Sequence, residues 1–521
     1  MLNAEFTLQR QGGEEAFPLY LAAAQTSGSD LVSQRSTAAA IASDNNNAVL
    51  AATELWLTQN PKASQAYPVR FQALLVDEQF QQAQALLIQA RTEEVPLSFL
   101  PAFVDQQARN IDATTQLQTI LAAPELEGAL YVELAKTHLD FLEGKSQKIL
   151  TKIDALIEQS PDNEIESLIV IKAFSLQKTG ETELAQTTLE AGEQDYPDSQ
   201  RIFATLLDIM IENGQTDKAI AKFESADLSP FAQQQIGLSM GQLLLQQGER
   251  QQSIQVLKQL PSRGGLSHQI HFILANAYHE DGQQEKALQT LTRVFGSLSW
   301  NASELLVKWL YENGQPERIN SIIIQRTGLD DEPGHVIGVS DLHEQQQRPD
   351  LSLELLSAAL LAFPNMDSVR YKRAITYDQR GQWQAAIKDL RLLAQKHPDD
   401  ASYLNALGYT IMVRDPVNID EAIDLIEQAY ELDPEDPAII DSLGWAHYLR
   451  GELDTAAALL NQAWNIMEDA EIGAHYGEVL WQLGQQEQAR RIWRTSLELN
   501  AQLPTLRQTL EKFEPTLLDQ E

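Results

Sequence analysis

A unit of about 34 residues returns along this chain, and that repetition leaves few folds open. The stretch "LDPEDPAIIDSLGWAHYLRG" carries Leu443-Gly444 and is followed by Gly451, Ala456, Leu460 and Ala463. One unit earlier stand Leu407-Gly408, Ala422, Ile426, Ala429 and Pro434, and before them Ala374, Tyr377, Gly381, Ala386, Leu390 and Pro398. One unit later come Gly477, Leu480, Gly484, Ala489 and Trp493. The register continues upstream through Gly214, Ala219 and Phe223, through Gly248 and Leu257, through Ala275, Tyr278, Gly282, Ala287 and Leu291, and through Gly314 and Ile323. Short units of one length bury their apolar faces against their neighbours, not in one central core.

Each position has a physical reason. Gly451, Gly381, Gly282 and Gly214 stand where a first helix must stop, in the left-handed conformation that glycine tolerates. Gly444, Gly408, Gly477 and Gly241 lie inside first helices, where glycine costs about 1 kcal/mol relative to alanine. They fit where the two helices of a unit approach so closely that any side chain would separate them. Ala456, Ala386 and Ala219 supply small volume for the same contact from the second helix. Pro434, Pro398 and Pro364 end their units because proline cannot continue a helix. Alternating strand patterns are absent from the sequence.

These residues resemble the tetratricopeptide repeat, which implies an all-α, superhelical solenoid of about 15 helix–turn–helix hairpins. The resemblance divides the chain into divergent repeats over 1–197, middle repeats over 198–330, and an irregular repeat or kink over 331–366. Regular repeats follow over 367–503, then a C-terminal capping helix and tail over 504–521. The least regular stretch is "GLDDEPGHVIGVSDLHEQQQRP", residues 328–349.

Composition narrows the function. With 38 basic against 74 acidic residues the net charge is −36, which argues against nucleic acid and against unaided binding to anionic lipid. The absence of cysteine excludes disulfides, thiolate metal sites and cysteine nucleophiles. The stretch 415–436 holds nine acids and no Lys or Arg; it reads either as a docking patch for a basic partner or as a solvated helix face.

Catalytic signals are weak. Gly237-Leu238-Ser239-Met240-Gly241 spells G-x-S-x-G, but a nucleophile elbow needs a strand–turn–helix context, and here the string lies within a first helix. His268, His271 and His279 form the one tight histidine group, and a zinc site wants further ligands and support. Phosphate-cradling and dinucleotide motifs are missing. The expectation is a non-enzymatic protein without metal or cofactor.

In the repeat family, concave positions come from the first helix of each unit. Carried onto this chain they are Tyr371, Asn405, Tyr409, Asp441, Trp445, Tyr448 and Trp481, with Glu478 beside them. Aromatics with a few polar groups suit a peptide groove; the competing reading packs them against neighbouring units or the last helix near 504–514. Lysine is missing at the positions that clamp a terminal carboxylate in some members, so that mode is not expected.

The segment "YLNALGYTIMVRDPVNIDEAIDLIEQAYELDPEDPAIIDSLGWAHYLRGELDTAAALLNQAW", with the opening "LNAEFTLQRQGGEEAFPLYLAAAQTSGSD", is similar to the LbcA-like lipoproteins, long tetratricopeptide proteins of the gammaproteobacterial outer membrane. That resemblance implies an adaptor binding a periplasmic carboxyl-terminal processing protease, CtpA, a PDZ serine protease. The adaptor presents protein substrates such as peptidoglycan hydrolases to it. It implies protease docking by the N-terminal helix, here through Leu2 and Phe6, four apart on one face; the alternative is that this helix caps the solenoid. It also implies a periplasmic location, anchored to the outer membrane through a lipidated N-terminus absent from this chain, with no membrane insertion of the chain itself. The alternative function is a peptide-binding assembly factor for cell-envelope or secretion machinery.

Overall fold

The computed structural model describes residues 2–107, 110–330 and 332–520. Among the described residues it contains 32 α-helices, a few short 3-10 turns and no strand, an all-α solenoid. Two compact units divide the chain, residues 1–267 and 268–521.

In the first unit the helix Leu2–Gln11 packs beside Gly13–Ser27. Its Ala4 and Leu8 face a small core of Ala16, Tyr20 and Ala39. The aromatic centre of this unit is Phe71, with Phe99 and Phe103 set edge-on at 5.7 and 5.3 Å. Where the repeat signature fades, the second helix of one hairpin is split into Ser146–Leu150 and Ile153–Gln159. Ile149, Ile153 and Leu156 nevertheless stay buried in one cluster.

The second unit contains the most regular pairs. Asp367–Gln379 packs on Trp383–Lys396, Ala401–Arg414 on Ile419–Leu432, Pro437–Leu449 on Leu453–Ile466, and Ala470–Gln482 on Gln486–Asn500. Aspartates start three of the first helices: Asp400, Asp436 and Asp469 each accept an amide proton of the opening turn, an arrangement worth about 1 kcal/mol per cap. Gly451 ends its helix with φ 80°, a conformation that side chains rarely adopt. At Gly444 an added Cβ would stand 2.8 Å from Leu460 Cγ, and at Gly408 it would stand 2.7 Å from the Ala422 carbonyl oxygen. The close approach inferred from the repeat pattern is therefore present.

The irregular stretch contains ordinary helices. Pro333–Gln345 packs on Pro349–Ala362, and its irregularity in sequence reflects polar residues turned inward. His343 is fully buried: Tyr311 donates its hydroxyl proton to Nδ1 at 2.5 Å, and Nε2 lies 2.9 Å from Asn320 Oδ1. Asn320 in turn donates to the Leu351 carbonyl at 3.1 Å. Burial, aided by Arg348, holds the His343 pKa down at about 4, so the imidazole is neutral and its Nε2–H is the donor to Asn320. A histidine whose pKa falls on folding stabilises the fold above its unfolded value near 6.5, and that contribution fades as pH drops toward 4. In thermal melts, the advantage of this chain over a His343→Gln variant should therefore shrink between pH 6.5 and 4. A constant difference would mean that His343 titrates as an exposed histidine.

A second inward polar group is Arg326, only 2% exposed. Its guanidinium donates to the carbonyls of Leu291, Val294 and Ser299 at 2.9, 2.8 and 3.2 Å. It also lies 5.1 Å from the Phe295 ring centroid. Leu291 closes the helix Gln284–Leu291, so the cation sits at the negative end of a helix dipole.

Candidate functional site

First helices place one face of successive repeats side by side, and in the second unit a further helix closes over them. Between Asp367–Gln379, Ala401–Arg414, Pro437–Leu449 and Ala470–Gln482 on one side and Pro504–Phe513 on the other lies a groove of about 1030 Å3. Five of the expected concave residues line it, Tyr371, Asn405, Tyr409, Asp441 and Trp445, together with Glu478 named beside them. The final helix, expected only as a cap, supplies a wall through Gln508, Thr509 and Lys512.

Polar groups in the groove are mostly paired. Arg414 grips Asp378 with two hydrogen bonds of 2.8 and 3.0 Å. His475 Nδ1 lies 2.9 and 3.1 Å from the two Asp441 oxygens. Burial lowers the His475 pKa, but Asp441, assisted by Glu471 and Glu478, more than offsets this and raises it above the ordinary imidazole value. Lys512 reaches Glu478 at 3.0 Å, and Tyr448 donates to the same oxygen at 2.9 Å. Tyr409 donates to Glu471 at 2.8 Å; burial first, then Glu471 and Asp441, push its phenol well above 10. Asn405 Oδ1 is a buried acceptor without a hydrogen-bond partner.

The remaining two concave candidates go elsewhere. Tyr448 lies outside the lining, held by Glu478 and by the Trp445 ring at 4.7 Å. Trp481 packs 5.5 Å from Trp493 and 6.3 Å from Phe513 of the last helix, with the Arg490 guanidinium 5.2 Å over its ring. Register placed Trp481 on a first helix, but the bulk of Phe513 and Trp493 draws its indole into the end of the core.

The reading from sequence missed His475, Glu471, Arg414 and Lys512. His475 stands 34 residues after Asp441, whereas the two repeats are offset by 33 from Gly444 to Gly477; it is therefore the counterpart of Ser442, and register alone did not single it out. Lys512 lies outside the repeats and carried no signal.

Leu2 and Phe6 are 75% and 52% exposed, while Ala4 of the same helix is buried. The helix thus carries one apolar stripe against its neighbours and another facing solvent.

Other candidates have structural positions. Gly237, Ser239 and Gly241 all lie within the helix Pro230–Gln246, and Gly241 presses against Leu257. His268 Nδ1 accepts from the Phe295 amide at 3.2 Å. His279 stacks on Trp309 at 4.1 Å. Among the described residues no group of three or more His, Asp or Glu is arranged to hold a metal ion, and no helix is long and apolar enough to cross a membrane. The acidic stretch forms the outer face of Ile419–Leu432, where Ala422, Ile423, Ile426 and Ala429 are buried and Glu421 and Glu427 pair with Arg391 and Arg450.

Comparison with known proteins agrees with the repeat reading. Residues 238–296, 340–401 and 418–464 match one family described as the tetratricopeptide repeat, and 471–495 match another of the same description. Over 136 residues the chain is 37% identical to TPR repeat-containing protein PA4667 of Pseudomonas aeruginosa, covering 26% of this chain and 22% of that one. Over 133 residues it is 29% identical to Bacteriophage adsorption protein A of Escherichia coli, covering 25% and 13%. The matched stretches thus span under a quarter of either relative. The solved structure of TTC0263, a thermophilic TPR protein of Thermus thermophilus, is covered in full and matches 36% of this chain at 21% identity with a TM-score of 0.31. With helix pairs, close-packed glycines and matched repeat segments in agreement, this chain contains tetratricopeptide repeats, units that serve as scaffolds for protein–protein interaction.

Proposed function

We propose that the chain is a non-enzymatic adaptor that binds a periplasmic carboxyl-terminal processing protease and presents protein substrates to it. The groove lined by Tyr371, Asn405, Tyr409, Asp441 and Trp445 carries this reading, because aromatic walls with a buried, unsatisfied acceptor suit an extended segment of another protein. Protease docking is assigned to the exposed stripe of Leu2 and Phe6. Peptidoglycan hydrolases are the substrate class that the lipoprotein resemblance supports, and the outer membrane is the anchoring site it supports. Such a scaffold acts by proximity: two tethered partners meet at roughly millimolar effective concentration, and no catalytic group is required.

Two double variants separate the two surfaces. Leu2→Ala with Phe6→Ala should weaken binding of a purified carboxyl-terminal processing protease at least tenfold and leave substrate binding intact. Tyr371→Ala with Trp445→Ala should do the reverse. Trp481 is not a suitable probe, since its removal would open a cavity beside Trp493 and Phe513. If the chain captures no such protease from periplasmic extract and instead retains an envelope or secretion component, the assembly-factor reading replaces this one.

A further inference from the structure

The groove's charges do not balance, and the imbalance identifies a ligand class. Four carboxylates line it, Asp378, Asp441, Glu471 and Glu478, against two permanent cations, Arg414 and Lys512. Asp378 has Arg414, Glu478 has Lys512, and Asp441 has His475. Glu471 receives only the neutral hydroxyl of Tyr409. No Lys, Arg or His among the described residues forms an ion pair with it, although its field reaches His475 and Tyr409. The carboxylate is half-buried in a site that it shares with the Tyr409 and Trp445 rings.

Resting on the groove as a peptide site, we propose that it selects extended segments bearing a lysine or arginine, whose cation docks on Glu471 between Tyr409 and Trp445. Three features of the groove converge on this chemistry. A carboxylate without an ion-pair partner, in partly desolvated surroundings, attracts a cation more strongly than one in bulk water, although its place in the first turn of Ala470–Gln482 lets the helix dipole offset part of its charge. Aromatic faces nearby add attraction for ammonium and guanidinium groups. The buried Asn405 Oδ1 offers an acceptor to a backbone N–H of the same segment. The net charge of −36 adds long-range steering of a basic partner. A segment ending in acidic residues would instead meet repulsion.

The test is a phage-display selection of random dodecapeptides on the full chain, run in parallel on Glu471→Gln. The amide keeps the shape and still accepts from Tyr409. Lysine or arginine enriched at one position with the parent chain, and not with the variant, is the expected result. A selected peptide is then labelled and titrated by fluorescence anisotropy beside its norleucine analogue. The parent should lose at least tenfold in affinity on that change, and Glu471→Gln should bind both peptides alike. If Tyr371→Ala with Trp445→Ala abolishes binding but Glu471→Gln and norleucine change nothing, the groove stands and the basic-segment proposal falls. If selected peptides bind that aromatic double variant unchanged, or none is selected, the groove reading falls and takes this proposal with it.

Discussion

Replacing Arg326 with leucine should destabilise the C-terminal unit by about 2–3 kcal/mol, the cost of removing a charged donor from buried carbonyl acceptors. Leucine has similar bulk in the stem, so the loss comes from polarity. The Val294 carbonyl would be left buried without its donor, at about 1–3 kcal/mol before relaxation. Those of Leu291 and Ser299 would each lose a charged donor and keep a backbone one, the Val294 amide for Leu291 and the opening turn of Ser299–Glu312 for Ser299. The cation also leaves the C-terminal end of Gln284–Leu291, losing its interaction with the dipole. Trp300 and Trp309 lie in the helix Ser299–Glu312, which starts at one of these carbonyls, so urea unfolding followed by tryptophan fluorescence reports locally. A midpoint unchanged from the parent would show that water or a shifted side chain satisfies those carbonyls. Arg326→Lys should fall between the two, since one ammonium cannot reach all three carbonyls as the planar guanidinium does.

The other large effect is expected at Gly477. Valine there should cost about 3 kcal/mol or more, the upper end for overpacking, because its Cβ would meet the Trp493 indole. That indole has no room to retreat. Trp493 is fully buried, with Trp481 at 5.5 Å and Phe513 stacked at 6.4 Å. Gly444→Ala is the informative comparison, because its new methyl meets the Leu460 side chain, which can change rotamer. A smaller loss is expected there. Since Phe513 belongs to the helix that carries Gln508 and Lys512 into the groove, Gly477→Val should also weaken peptide binding, whereas Gly444→Ala should largely spare it. Equal stability of the two variants in denaturant titrations would contradict the rigid-stack argument.

Much of this fold was legible before any coordinates. The glycine at 444 announced close helix contact because a residue that costs helix stability persists only where side chains are excluded. Gly451 marked the stop of a first helix and Pro434 the end of a unit by the local chemistry of turns. The first-helix register also brought Tyr371, Asn405, Tyr409, Asp441 and Trp445 to one face, since residues at one place in a repeat occupy one place on the stack.

Contacts across repeats, and with the final helix Pro504–Phe513, were decided by tertiary structure. Trp481 shares its register position with Tyr448, yet it turned toward Trp493 and Phe513 because the apolar Phe513 of the final helix lies beside it. The 328–349 stretch stood out in sequence as the least regular, but only the fold showed that it turns a histidine inside, with His343 neutral between Tyr311 and Asn320. The charge balance of the groove also depended on which cation lay within reach of which acid. Arg414 found Asp378 and Lys512 found Glu478, while Glu471 found none. Local periodicity determined the hairpins and the face each residue shares. Distances between side chains far apart in sequence determined which groups were neutralised and which were left for a partner.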